Sequence, residues 1–134
     1  MKIICFRGKG RTGKSIVIKR ILNEFFKIEI ISSRNDFSLI FNYNNFKIGI
    51  CSYGDTESLL RRYLKPLKDK GCDIIIYACH GRGKTITFIT NEFWGHNIEY
   101  IDCLKFNEQD RQNEENNRRI ALFREKFERM INSV

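Results

Sequence analysis

The sequence predicts a three-layer α/β/α domain on a mostly parallel sheet with one β-hairpin. Three observations carry that expectation. Strand-like apolar runs alternate with helical patterns along the chain, and right-handed crossovers between them give helices on both sheet faces. Asp73–Cys79 (DIIIYAC) places β-branched and aromatic residues side by side without polar alternation, as a strand buried on both faces requires. The run Lys2-Ile3-Ile4-Cys5-Phe6 leads straight into a glycine-rich loop and then an amphipathic stretch.

Each element has its own local reason. Lys2–Phe6 is β-prone and opens the chain. Ser15–Phe26 carries Ile18, Ile21, Leu22 and Phe25 at helical spacing, with Lys19, Arg20, Asn23 and Glu24 on the other side. Ile28–Ser32 (IEIIS) reads as a second strand, followed by the polar turn Ser33-Arg34-Asn35-Asp36. Phe37–Phe41 and Phe46–Cys51 flank Asn42-Tyr43-Asn44-Asn45, a hairpin whose asparagines tolerate left-handed backbone. Tyr53-Gly54-Asp55-Thr56 then starts a helix with Leu59, Leu60, Tyr63, Leu64 and Leu67 on one face. Asp55 or Thr56 serves as its N-cap. Pro66 should kink that helix or end its regular part near Leu64, and Gly71 closes the segment. After the Asp73–Cys79 strand comes a His80–Gly83 loop. Lys84–Trp94 has β-prone residues, but its place between two strands argues for a crossover helix. Ile98–Leu104 reads as the last strand. Glu108–Ser133 reads as a charged helix with Ile120, Phe123, Phe127 and Met130 as its buried stripe and Glu114/Arg118, Glu115/Arg119 and Glu125/Arg129 as i, i+4 pairs.

Composition bounds the function classes. A chain of 134 residues with 42% hydrophobic content can bury one core, so residues 1–134 are expected to form a single domain. No apolar run approaches the length of a membrane span. The N-terminus enters a core strand directly, which leaves no room for a signal peptide and points to a cytoplasmic protein. Cys5, Cys51, Cys72, Cys79 and Cys103 lie mostly in or beside apolar runs and form no C-x-x-C pair, which suits free buried thiols. Cys79 and His80 are adjacent, so on a strand they face opposite ways and do not suit one zinc ion. The net charge of +8 fits an anionic ligand: a nucleotide, a phosphorylated substrate or nucleic acid. Nucleic acid rests on that charge alone, because the C-terminal positives alternate with acids as on a solvated surface.

The sharpest signal is Gly8–Ser15, GKGRTGKS, which fits G-x-x-x-x-G-K-[ST] without mismatch. A chance match in so short a chain has odds on the order of one in a hundred or less, given the ordinary abundance of glycine. In such a loop the backbone N–H groups of Gly8, Lys9, Gly10, Arg11, Thr12 and Gly13 turn toward a polyphosphate, and the following helix adds its positive end. Gly8 and Gly13 let the backbone come close. Lys14 places a cation on the β/γ-phosphates, and Ser15 offers a hydroxyl to Mg²⁺. The competing reading is a glycine turn joining a strand to a basic helix.

By these residues the chain resembles the P-loop NTPase superfamily, over roughly its first 25 positions. The resemblance implies a mostly parallel α/β sandwich, binding of ATP or another NTP with Mg²⁺, and phosphoryl transfer. In its small size and tight loop near Gly8 the chain is similar to the nucleotide-kinase and dephospho-coenzyme A kinase branch.

Ligands of open α/β sheets sit beyond the carboxyl ends of the strands, which selects the remaining candidates. Asp55 is either the second acid of the site, ligating or orienting Mg²⁺ through water, or only a helix cap. Asp36 is either a base or substrate contact, as in nucleotide-kinase-like proteins, or a turn aspartate. Arg82 and Lys84 could neutralise a transferring phosphoryl group, as could Arg118 or Arg119 if the last helix crosses the site. His80 is a ligand contact or a structural strand-end residue. No N-K-x-D occurs, which tilts the base preference toward ATP. Three functions fit: a small kinase-like phosphotransferase with a small-molecule acceptor, an ATPase driving a partner, and a regulatory nucleotide-binding module. A basic nucleic-acid-associated protein is the fourth.

Overall fold

The β-prone runs and the helical patterns come together in one layered architecture, seen in a computed structural model that describes residues 1–8, 14–29, 37–54, 56–80, 83–104 and 106–132. The strands are β1 (Lys2–Arg7), β2 (Ser38–Tyr43), β3 (Phe46–Cys51), β4 (Ile74–Cys79) and β5 (Asn97–Asp102). They form one sheet in the order β2-β3-β4-β1-β5. β3, β4, β1 and β5 run parallel, and β2 is antiparallel to β3. The hairpin turns at Asn44 and Asn45, both at positive φ (48° and 69°), the conformation asparagine accepts most readily after glycine.

Every residue of β4 is buried. It is the middle strand, and its unbroken apolar run follows from having helices over both faces. Its neighbour β1 is in register, with Ile3 beside Ile75 and Phe6 beside Ala78. Because side chains alternate along a strand, Ile4, Phe6 and Ile76 face one way and Ile3, Cys5, Ile75 and Tyr77 the other. The first set packs with Val17 and Ile18 of α1 (Lys14–Arg20) and with Phe123 and Phe127 of α5 (Gln109–Asn132). The second packs with Leu60, Leu64, Phe88 and Phe93, contributed by the segment from α2 (Glu57–Leu59) to α3 (Lys65–Asp69) and by α4 (Lys84–Glu92) with the turn after it. Lys84–Glu92 is thus a helix despite its β-prone composition. Full burial of each such Ile or Phe contributes about 1.5–3 kcal/mol.

Two helical stretches widen locally. Ile21–Phe25 continues α1 as a π turn, closed by the Phe26 N–H donating to Ile21 O at 3.2 Å. At about 100° per residue, two consecutive phenylalanines of an α-helix diverge. The wider turn lets both Phe25 and Phe26 join the cluster with Phe123 and Phe127, at centroid distances of 5.3–6.2 Å. Leu60–Leu64 is the second π turn, and it ends as α3 begins. Pro66 then falls in the first turn of α3, where its missing N–H costs nothing. The helical course does not stop near Leu64: Leu64 and Lys65 are both in the right-handed helical conformation, and the π turn passes directly into α3.

Ile28 and Glu29 are not in a strand; the other residues of the expected Ile28–Ser32 strand lie outside the described ones. The Ile28 N–H donates to Leu22 O at 2.9 Å, which ties this stretch to the end of the helix instead of to a sheet edge. Among the described residues no helix is long and apolar enough to cross a membrane.

Candidate phosphate-binding site

At the carboxyl edge of the sheet, backbone pairing runs past the strand ends. The Gly8 N–H donates to Cys79 O at 3.1 Å, and the Cys103 N–H donates to Arg7 O at 2.8 Å. The His80 N–H donates to Gly54 O at 3.1 Å. The chain segments leaving β1, β3, β4 and β5 are therefore tied together at one edge, where parallel-sheet proteins place their ligands.

Two glycines make that convergence sterically possible. A β-carbon on Gly8 would lie 2.4 Å from Cys103 O, and one on Gly54 would lie 1.6 Å from Ala78 O. Gly8 therefore packs against the exit of β5. Gly54 brings the chain leaving β3 against the end of β4.

Lys14 is the first residue of α1 and is 6% exposed. Its Nζ donates to Gly8 O at 2.5 Å. The ammonium therefore stands back at the point where the chain leaves β1. A buried ammonium needs compensation, and oxygen acceptors supply it. Ser15 follows at the start of the helix, half-buried. Val17 and Ile18, fully buried, anchor α1 on the sheet and fix where Lys14 and Ser15 begin.

The other walls come from the ends of β5 and α5. The Arg119 side chain is fully buried. Its Nη1 donates to Asn116 Oδ1 at 3.0 Å and its Nη2 to Leu104 O at 2.5 Å, while Glu115 Oε1 lies 3.6 Å from Nε. Arg119 thus pins the segment after β5 to α5. Burial pushes the Cys103 thiol up to about 11, against the pull of the Arg119 and Lys14 cations. Glu115 is held below the usual carboxylate range first by its hydrogen bond from Arg118. Arg7, at the end of β1, donates from Nε to Asp102 Oδ1 at 2.5 Å, and its guanidinium carbon lies 4.2 Å from the Tyr100 ring centroid. The Asp102 hydrogen bond raises its affinity for its proton.

Of the residues selected from sequence, Gly8, Lys14 and Ser15 are brought together at this edge. Lys9, Gly10, Arg11, Thr12, Gly13, Asp36, Asp55 and Arg82 lie outside the described residues. His80 uses its backbone here: its N–H holds Gly54, and its O accepts from Thr85 Oγ1 at 2.9 Å. Lys84 starts α4 and lines a separate cleft with Glu57 and Arg61. Thr56 is the cap of the α2 segment, its Oγ1 accepting from the Leu59 N–H at 3.2 Å. Arg118 pairs with Glu115 at i, i+3, its Nε 2.9 Å from Glu115 Oε2; Glu114 is not its partner in any described ion pair. Arg119 keeps the expected i, i+4 pair with Glu115, at 3.6 Å, and is in addition a buried tether, which the spacing alone did not show. All five cysteines are buried, and Cys5 and Cys79 approach to 3.1 Å between sulfurs.

Comparison with protein-family models, with curated proteins and with solved structures returns no match.

Proposed function

We propose that the chain binds Mg-ATP in the Gly8–Ser15 loop and transfers the terminal phosphoryl group to a small-molecule acceptor. One observation supports this above the rest. The motif joins an interior parallel strand to a helix at the carboxyl edge of the sheet, with the Lys14 ammonium drawn 2.5 Å from the carbonyl that opens the loop. That ammonium is already desolvated and positioned, so a polyphosphate entering the loop gains a charge-assisted contact with little ordering cost. In this reading Ser15 would supply a hydroxyl to Mg²⁺ and Asp55 would be the acid that ligates or orients the metal. Arg82 would be the phosphoryl contact and Asp36 the acceptor contact. Catalysis then comes from positioning and charge neutralisation, as phosphoryl transfer requires.

Turnover tests this. ADP release from Mg-ATP is measured with and without a panel of hydroxyl-bearing acceptors. An acceptor should raise the rate over the water background, and Lys14→Ala should lower it about a hundredfold or more while the fold is retained. Turnover unchanged in Lys14→Ala would remove the loop from the reaction. A rate that no acceptor raises would leave an ATPase.

A further inference from the structure

We propose that the cleft between the edge strand β2 and α3 is a stacking platform for single-stranded nucleic acid, separate from the phosphate loop. Tyr53, just past β3, and Tyr63, in the π turn before α3, stack with ring centroids 3.8 Å apart and planes 13° from parallel. The Arg62 guanidinium carbon lies over the Tyr63 ring, 5.3 Å from its centroid. Both tyrosines are only half-buried, and Arg62 is exposed. They border a cleft of about 410 Å³ with Ile40, Pro66 and Lys70. Among the described residues that line it, two are cations, Arg62 and Lys70, and none is a carboxylate.

The combination is specific in its chemistry. An aromatic or guanidinium plane accepts the π face of any base, and adjacent cations accept the phosphates between bases. Bases in a duplex are already stacked on one another, so the platform favours a single strand. The neighbouring cleft, about 520 Å³, contrasts with it. There the lining acids Glu57 and Glu92 offset the lining cations Arg61 and Lys84, and Glu57 accepts from Arg61 at 2.9 Å. A peptide adding a strand to β2 is the rival occupant, but main-chain pairing would need neither the tyrosine stack nor the lining cations. The overall charge of +8 adds attraction at long range without selecting the site.

The test is fluorescence anisotropy of a short labelled oligothymidylate and of its duplex with oligoadenylate. The single strand should bind more tightly than the duplex. Tyr53→Ala should weaken single-strand binding about five- to hundredfold, the range for loss of a base–aromatic stack. Arg62→Ala should weaken it and lower the salt dependence of log K by about 0.7. Arg124→Ala, the same charge change on α5 over the opposite sheet face, should have much less effect. Lys14→Ala should bind as wild type, and excess Mg-ATP should not displace the strand, whether or not the loop binds nucleotide. Should Tyr53→Ala fail to fold, the exposed pair Arg62 and Arg124 decides. Equal losses at Arg62 and Arg124, equal affinity for duplex, or binding of an unstructured peptide in place of the strand would overturn the assignment.

Discussion

Gly54 has no space for a side chain. A methyl group there would sit 1.6 Å from Ala78 O and 2.9 Å from the Cys79 Cα, and both are backbone of the central strand. Neither can move without distorting β4, which is buried along its whole length. Gly54→Ala should therefore destabilise the protein by about 2 kcal/mol or more, as overpacking of a rigid site does. Urea denaturation checks this; a midpoint equal to wild type would mean the chain past β3 does not pack on β4 as described. At this scale the sequence was unevenly legible. Gly8, Lys14 and Ser15 stood out because a phosphate loop needs those residue types at fixed spacing. Gly54 read only as part of the stretch that starts a helix, since the contact that demands it comes from Ala78, far away in the chain.

Helix α5 shows how an element can hide its function. Its charged composition reads as a solvated helix, and Phe123, Phe127 and Met130 are buried as their spacing predicts. Arg119 is buried with them, because the Leu104 carbonyl and Asn116 give its guanidinium hydrogen bonds in place of water. Periodicity cannot report such partners, which come from the end of another element. The π turns were equally invisible, since they answer to packing of Phe25 with Phe26 and to Pro66. Glu115 ties this group together: it accepts from Arg118 and lies against Arg119, with 11% of its side chain exposed. Its carboxyl is held below the ordinary range in the folded chain, so its contribution is present above the ordinary glutamate pKa and is lost as pH falls through the folded value. Glu115→Gln should cost about 1–2 kcal/mol at neutral pH. The gap in melting temperature from wild type should shrink as the pH is lowered through and below the carboxylate range. A gap constant from neutral to acidic pH would mean that the charge of Glu115 is not what stabilises α5.

On the scale of the molecule, the α/β class and the helices on both sheet faces followed from the alternation of strand and helix patterns and from the doubly buried DIIIYAC run. The strand order did not. β4 lies between β1 and β3, a non-local pairing decided by which apolar faces fit and by the crossovers, and no short window records it. That order has a consequence for the site. The segment leaving β3 crosses the end of β4, where Gly54 and His80 join. The carboxyl edge thus gathers Gly8, Lys14 and Ser15 with the exits of three other strands, and nucleotide binding there is the premise of the proposed transfer. Calorimetric titration of Mg-ATP into wild-type protein and into Lys14→Ala tests that premise most directly. Saturable one-to-one binding by wild type, lost or greatly weakened in a variant that still melts cooperatively, is the expected result. The same isotherm for both proteins, or no binding by well-folded wild type, would contradict a nucleotide site in the Gly8–Ser15 loop.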